Sequence, residues 1–202
     1  MPTYCAHFKL LSERVTALLK KFVADQIADE KANPLTFQPD LDRLAAFRLL
    51  VHAEIEDFLE AKAKDNIATL AASVNGPPWV RKFPELLSLA MVLKKAPPTG
   101  QEFDSQKFAA FILELVAGAR SAISENNGIK SQSFLLLSIC AGKTVDEIDS
   151  VLSGSLNSFG KDRGDVAHKS VTHSTTLQAP SSEVSTATSL VAQIASYFDV
   201  TA

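Results

Sequence analysis

Apolar residues recur at three- and four-residue steps through nearly the whole chain, a period that suits helices and not strands. Residues 3–31 set Phe8, Leu11, Val15, Leu18, Leu19, Phe22 and Ile27 on one stripe, and Asn33-Pro34 and Gln38-Pro39-Asp40 then break it. A longer helix is expected over about 40–73, with Leu44, Phe47, Val51, Ile55, Phe58 and Leu59 on its apolar face. Its later alanines, Ala61, Ala63, Ala68, Ala71 and Ala72, sustain helix propensity. Asn75-Gly76-Pro77-Pro78 is a stop. Helices around 82–95 and 104–126 follow, parted by Ala96-Pro97-Pro98-Thr99-Gly100, and Asn126-Asn127-Gly128 suits a left-handed C-cap.

Ser131–Cys140 reads as a short helical piece. Thr144-Val145-Asp146-Glu147 reads as a capping box that opens a helix carrying Val145, Ile148, Val151, Leu152 and Leu156. Phe159-Gly160 and a polar stretch over 161–170 come next, then a loop rich in Ser and Thr over 171–181. A last helix is expected over about 182–199. With no alternating strand pattern, repeat or heptad run, the expected fold is all-α. It is one domain over residues 1–202, a bundle of long antiparallel helices with shorter inserted ones.

A chain of 202 residues is long enough for one substantial core and short for two. Its formal charge of −3 gives no long-range attraction for a polyanion, so any nucleic-acid contact has to come from a local basic patch. Cys5 and Cys140 stand far apart, with no CxxC and no His/Cys cluster at metal-ligand spacing. Free thiols in a reducing compartment are the expectation, with no metal and no other cofactor. The start Met1-Pro2-Thr3-Tyr4-Cys5-Ala6-His7 lacks a basic region followed by an apolar run, and no stretch approaches the roughly 18 apolar residues of a membrane helix. A cytoplasmic protein without a membrane partner is expected.

The residue types best suited to chemistry are Arg163 and His168. A guanidinium is a permanent forked donor for phosphate oxygens, and an imidazole can exchange protons near neutral pH. Together they suit stabilisation of a pentacoordinate phosphate and movement of its protons without a metal. On a regular helix the two residues stand about 140° apart and about 7.5 Å along the axis, so they do not share one face. Two copies related by a two-fold axis would pool them in one groove, which makes a dimer the natural unit. Asp165 either orients the imidazole or is solvated. Lys161 and Lys169 either bind substrate or form an ordinary solvated face.

Three supporting candidates lie on the second helix. His52 stands one turn after Arg48 and one turn before Glu56, as a helper near a cleft or as a rung of a structural Arg–His–Glu ladder. Glu54 shares the side of Phe47, Val51 and Phe58, so it is expected to be partly buried against an arginine or a helix N-terminus. His173 reads as a loop histidine and Trp79 as an aromatic anchor at a helix start. Gly142-Lys143-Thr144 lacks the upstream glycine and preceding strand of a phosphate loop.

The segment Phe159-Gly160-Lys161-Asp162-Arg163-Gly164-Asp165-Val166-Ala167-His168-Lys169-Ser170 resembles the signature of HEPN proteins, an Arg and a His separated by four to six residues. Its form is similar to the RiboL-PSP-HEPN branch. Three further stretches fit that branch in order, spanning about residues 40–200: Leu50-Val51-His52-Ala53-Glu54-Ile55-Glu56-Asp57-Phe58-Leu59-Glu60, Asn126-Asn127-Gly128-Ile129-Lys130, and Ala179-Pro180 before the last helix. The resemblance implies a helical homodimer with the motif at the subunit cleft. It also implies metal-independent endoribonuclease activity, often in toxin–antitoxin or phage-defence settings with a partner antitoxin or defence protein. Carried over by position, Arg163 binds the scissile phosphate and His168 transfers protons, leaving 2′,3′-cyclic phosphate and 5′-hydroxyl ends. Many such nucleases have a polar residue directly after the Arg, where this chain has Gly164. The alternatives are a HEPN module that binds RNA or a nucleotide without cutting, and a helical protein-interaction subunit.

Overall fold

The computed structural model of the chain describes residues 2–75, 83–97, 104–168 and 176–202, without the side chains of Asn75, Ser105 and residues 165–168. The fold is all-α. In chain order its elements are β1 (Thr3–Tyr4), α1 (Ala6–Phe22), α2 (Ala24–Ala32), α3 (Leu41–Ala72), α4 (Phe83–Val92), α5 (Ser105–Ser124), α6 (Ser131–Cys140), α7 (Ser150–His168), α8 (Pro180–Phe198) and β2 (Val200–Thr201). Short 3₁₀ turns stand at Ser73–Asn75 and Val145–Glu147. The chain divides into two compact units. The first comprises Met1–Phe58, Gly128–Ser131 and Asp149–Ala202, and the second Leu59–Asn127 and Gln132–Ile148.

In the first unit α8 packs on α1, α2 and α7. The apolar stripes meet as their spacing requires: Leu11, Val15, Phe47, Val51, Leu156, Leu190 and Ile194 are all buried. Phe58 sits edge-on between Phe8 and Phe198, with ring centroids 5.9 and 5.7 Å away. The stripe expected as one helix over 3–31 is bent at Val23. That residue leaves helical geometry (φ −130°, ψ −25°) yet keeps its amide on the Leu19 carbonyl at 3.0 Å. It is fully buried, so the bend turns a β-branched side chain into the core without breaking the hydrogen-bond ladder. Arg43 on α3 then ties the two helices down, donating to both Asp25 oxygens (2.7 and 2.6 Å) and to the Lys21 carbonyl. One feature escapes the helical period altogether. Thr3 and Tyr4 pair in parallel with Val200 and Thr201, too short a run to leave an alternation.

The capping box is present, but it closes only the 3₁₀ turn at Val145–Glu147. Ile148 is extended, and α7 begins two residues later with Asp149 as its cap, accepting from the Val151 and Leu152 amides at 2.8 and 2.9 Å. The helix does not stop before Phe159-Gly160. Buried Leu152, Leu156 and Phe159 recur at four and three residues, and this packing carries α7 through its glycines to His168.

The second unit is built on the rest of α3 with α4, α5 and α6, around buried Ile67, Leu70, Leu89, Ile112, Leu115 and Phe134. Helix α6 has no apolar stripe because Phe134, Leu137, Ser138, Ile139 and Cys140 are buried around its circumference. The left-handed glycine expected to cap α5 is displaced. The cap is Glu125 at φ −91°, while Gly128 takes φ +117° three residues on.

A buried ion pair in the first unit joins α3 to α8. Arg48 donates through Nε to Glu183 Oε2 at 3.0 Å and also grips Glu183 Oε1. A further donor reaches the Thr176 carbonyl at 2.9 Å, and the Gln178 amide donates to Glu183 Oε1 at 2.8 Å. Both side chains are under 5% exposed, 4% and 2%. Removing one partner strands the other charge in the core. Glu183→Ala and Arg48→Ala are each expected to cost about 3–5 kcal/mol in urea unfolding, and Arg48→Met with Glu183→Leu to recover most of it. Equal midpoints for wild type and single variants would show that the pair carries no such weight.

Candidate functional site

The Arg-to-His segment is helical, lying in the last part of α7. Lys161 is exposed and Arg163 half-buried on that helix. Asp165 and His168 have helical backbone, and their side chains lie outside the described residues, as do all of Lys169, His173 and Trp79. Arg163 is the motif residue whose side chain shows its surroundings.

Facing α7 is His52 of α3, 1% exposed, its ring stacked on Phe159 with centroids 6.4 Å apart and planes 17° from parallel. One step along α7, Gly160 allows the Gly128–Ser131 segment to close in. A Cβ there would stand 3.3 Å from Lys130 Cγ, 3.5 Å from Ile129 Cγ1 and 3.6 Å from His52 Nε2. A methyl group would crowd Lys130, and would meet Ile129 and His52 at ordinary contact distance. On the far side of the imidazole, Glu56 places Oε2 3.7 Å from His52 Nδ1, beyond hydrogen-bond range, and accepts the Gly128 amide through Oε1. Glu56 thus fixes the turn that delivers Lys130.

His52 is held neutral. Burial pushes its pKa down to about 4, and the positive charges of Arg163 and Lys130 act in the same direction. Two buried nitrogens, His52 Nδ1 and Arg163 Nε, have no hydrogen-bond partner among the described residues. The arrangement is a neutral imidazole flanked by the Arg163 guanidinium and the ammonium of exposed Lys130. It offers forked and point-charge donors to an anionic oxygen.

The other candidates separate. Arg48 is committed to Glu183, so no Arg–His–Glu ladder forms on α3, and His52 turns to α7 instead. Glu54 points to α1, accepting from Arg14 Nε at 2.9 Å, and takes no part in the site. Lys130 was not singled out as a site residue by its spacing. Its place depends on Gly160, three residues before Arg163 and therefore on the same side of α7.

Beside this cluster, α7 and α8 leave an open groove of about 490 Å³ above Arg48. Buried Phe159 and Leu190 give it an apolar lining, and Asp162 lines it as well. Among the described residues no three His, Cys, Asp or Glu side chains are placed to hold a metal ion, and no helix is long and apolar enough to cross a membrane. Cys5 and Cys140 are free thiols, the latter pushed up to about 12 by burial. No protein-family profile, curated protein or solved structure matches the chain.

The His52 environment has a pH signature. Its folded pKa lies below the ordinary 6.5, so the unfolded chain takes up the proton first as pH falls. The native state is fully favoured above about pH 6.5 and loses up to about 3 kcal/mol on acidification toward pH 4. Urea midpoints across this range are expected to fall in the wild type and to flatten in His52→Gln. Parallel profiles for the two proteins would show that His52 is not the residue responsible.

Proposed function

We propose that the chain is a metal-independent endoribonuclease of the HEPN type, acting as a cytoplasmic homodimer in which Arg163 and His168 of two copies line one cleft. A toxin–antitoxin or phage-defence setting, with a partner that restrains the activity, goes with this reading. The observation that carries it is the state of Arg163. Its buried Nε has no partner among the described residues, while Lys130 adds a second positive charge at the same His52 ring. A guanidinium kept for structure alone would be expected in the condition of Arg48, with its donors taken up by a carboxylate and a carbonyl.

In the proposed reaction the RNA supplies its own nucleophile. The 2′-hydroxyl loses its proton to a base, attacks the adjacent phosphorus and forms the cyclic phosphate. The bond from phosphorus to the 5′-oxygen breaks, and that oxygen takes up a proton. Arg163 binds the non-bridging oxygens as charge accumulates on them, and Lys130 and Lys161 hold neighbouring phosphates. His168 moves the protons. His52 is buried and neutral, which suits it to positioning α7 and not to proton exchange.

The test is cleavage of a labelled mixed-sequence RNA in EDTA. The wild type is expected to leave cyclic-phosphate ends, with Arg163→Ala and His168→Ala reduced by about 10²–10⁴-fold. Lys130→Ala is expected to raise KM more than it lowers kcat. Intact RNA with the wild type, or equal cutting by the variants, would sink the catalytic reading. A gel shift of the same RNA would then decide for a binding module that does not cut.

A further inference from the structure

The walls of the groove between α7 and α8 are not those of an ordinary helix seam. Where two packed helices usually meet through apolar side chains, these present Ser155 and Ser158 from α7 and Ser185, Thr186 and Ser189 from α8. Gln178 and Gln193 add amides. The volume, about 490 Å³, lies within the range of roughly 300–1,000 Å³ typical of small-molecule sites. Arg48 is neutralised by Glu183, which leaves the Asp162 carboxylate as the groove's own charge among the described residues. Gln193 donates through Nε2 to Ser189 at 3.0 Å, while its Oε1 is buried with no partner among the described residues. A groove lined by hydroxyls, amides and a carboxylate suits a ligand rich in N–H and O–H donors better than an anion.

We propose that this groove is a nucleobase subsite that reads guanine, with Asp162 accepting from the base and the serine hydroxyls bonding the ribose. Of the RNA bases, guanine alone sets two N–H donors side by side, at N1 and the exocyclic amine, and a carboxylate accepts both at once. Adenine and cytosine each place an acceptor beside their amine, and uracil flanks its one N–H with two carbonyls. Leu190 and Phe159 give the base an apolar lining. Phe159 also backs His52, whose imidazole feels the Arg163 charge, so the groove adjoins the basic cluster. Asp162 immediately precedes Arg163 on α7, and a nucleotide with its phosphate at Arg163 would bring its own base toward Asp162. The inference rests on the RNA reading above for that link and names the base that the same site would prefer.

Binding is the experiment, because it needs neither RNA nor cleavage. Guanosine, adenosine, cytidine and uridine are each titrated calorimetrically into the full chain. Guanosine is expected to bind at least about tenfold tighter than the others, and Asp162→Asn to erase that preference. Ser189→Met, which fills the groove from α8, is expected to abolish binding of all the nucleosides. Thermal unfolding of both variants without ligand establishes that they are folded. No binding at millimolar guanosine, equal binding of every nucleoside, or unchanged selectivity in folded Asp162→Asn would each overturn the inference. Guanosine bound by a chain that leaves RNA intact would sustain the subsite and remove the nuclease. RNA cut by a chain that ignores guanosine would do the reverse.

Discussion

The buried pair of Arg48 and Glu183 is the constraint around which the first unit is arranged. Taking two charges out of water is tolerable only when every donor and acceptor is met. Here the carboxylate takes two arginine bonds and a backbone amide, while the guanidinium also reaches the Thr176 carbonyl. These requirements fix the rotation of α8 about its own axis. Once Glu183 faces α3, Ala187, Leu190 and Ile194 follow at four, seven and eleven residues into the core, and Ser185 and Ser189 are turned toward α7. The polar groove is thus a consequence of where one carboxylate has to point.

The same economy governs α7. Its buried face, Leu152, Leu156 and Phe159, places Arg163 four residues beyond Phe159, against α3. Gly160 stands to one side and Asp162 to the other, so a single helix offers a basic edge and a hydroxylated groove without a loop intervening. At helix-weakening Gly160 the Lys130 side chain comes closer than it would readily come to a methyl group, and Ile129 and His52 lie at contact distance.

Much of this was legible in the residues. The three- and four-residue period located the helical stretches seen among the described residues and most of their buried faces, though it read α1 and α2 as one helix. It missed what short-range pattern does not encode. Val23 continues the stripe of α1 in sequence, yet its burial bends the backbone. The Thr144–Glu147 box satisfies its local hydrogen bonds equally well at a 3₁₀ turn, so it did not mark the start of α7. Arg48 was legible as a neighbour of His52 on one helix, but its partner lies 135 residues away. At the site, Arg163 and Lys161 were readable from their motif. Lys130 was not, because its position depends on a glycine in another element and on Glu56 holding the turn before it.

The division of the chain also sets an order of assembly. The second unit draws on Leu59–Asn127 and Gln132–Ile148, an almost continuous stretch, whereas the first needs both the leading 58 residues and those after Asp149. Loop closure is cheap within the former and costly within the latter. On a ribosome, α1, α2 and the first turns of α3 emerge early and then wait, with Val15, Phe47 and Val51 uncovered, until α7 and α8 are made. The inner segment is complete before then. The apolar face of α1 and α3 is therefore made well before the α7 and α8 residues that cover it.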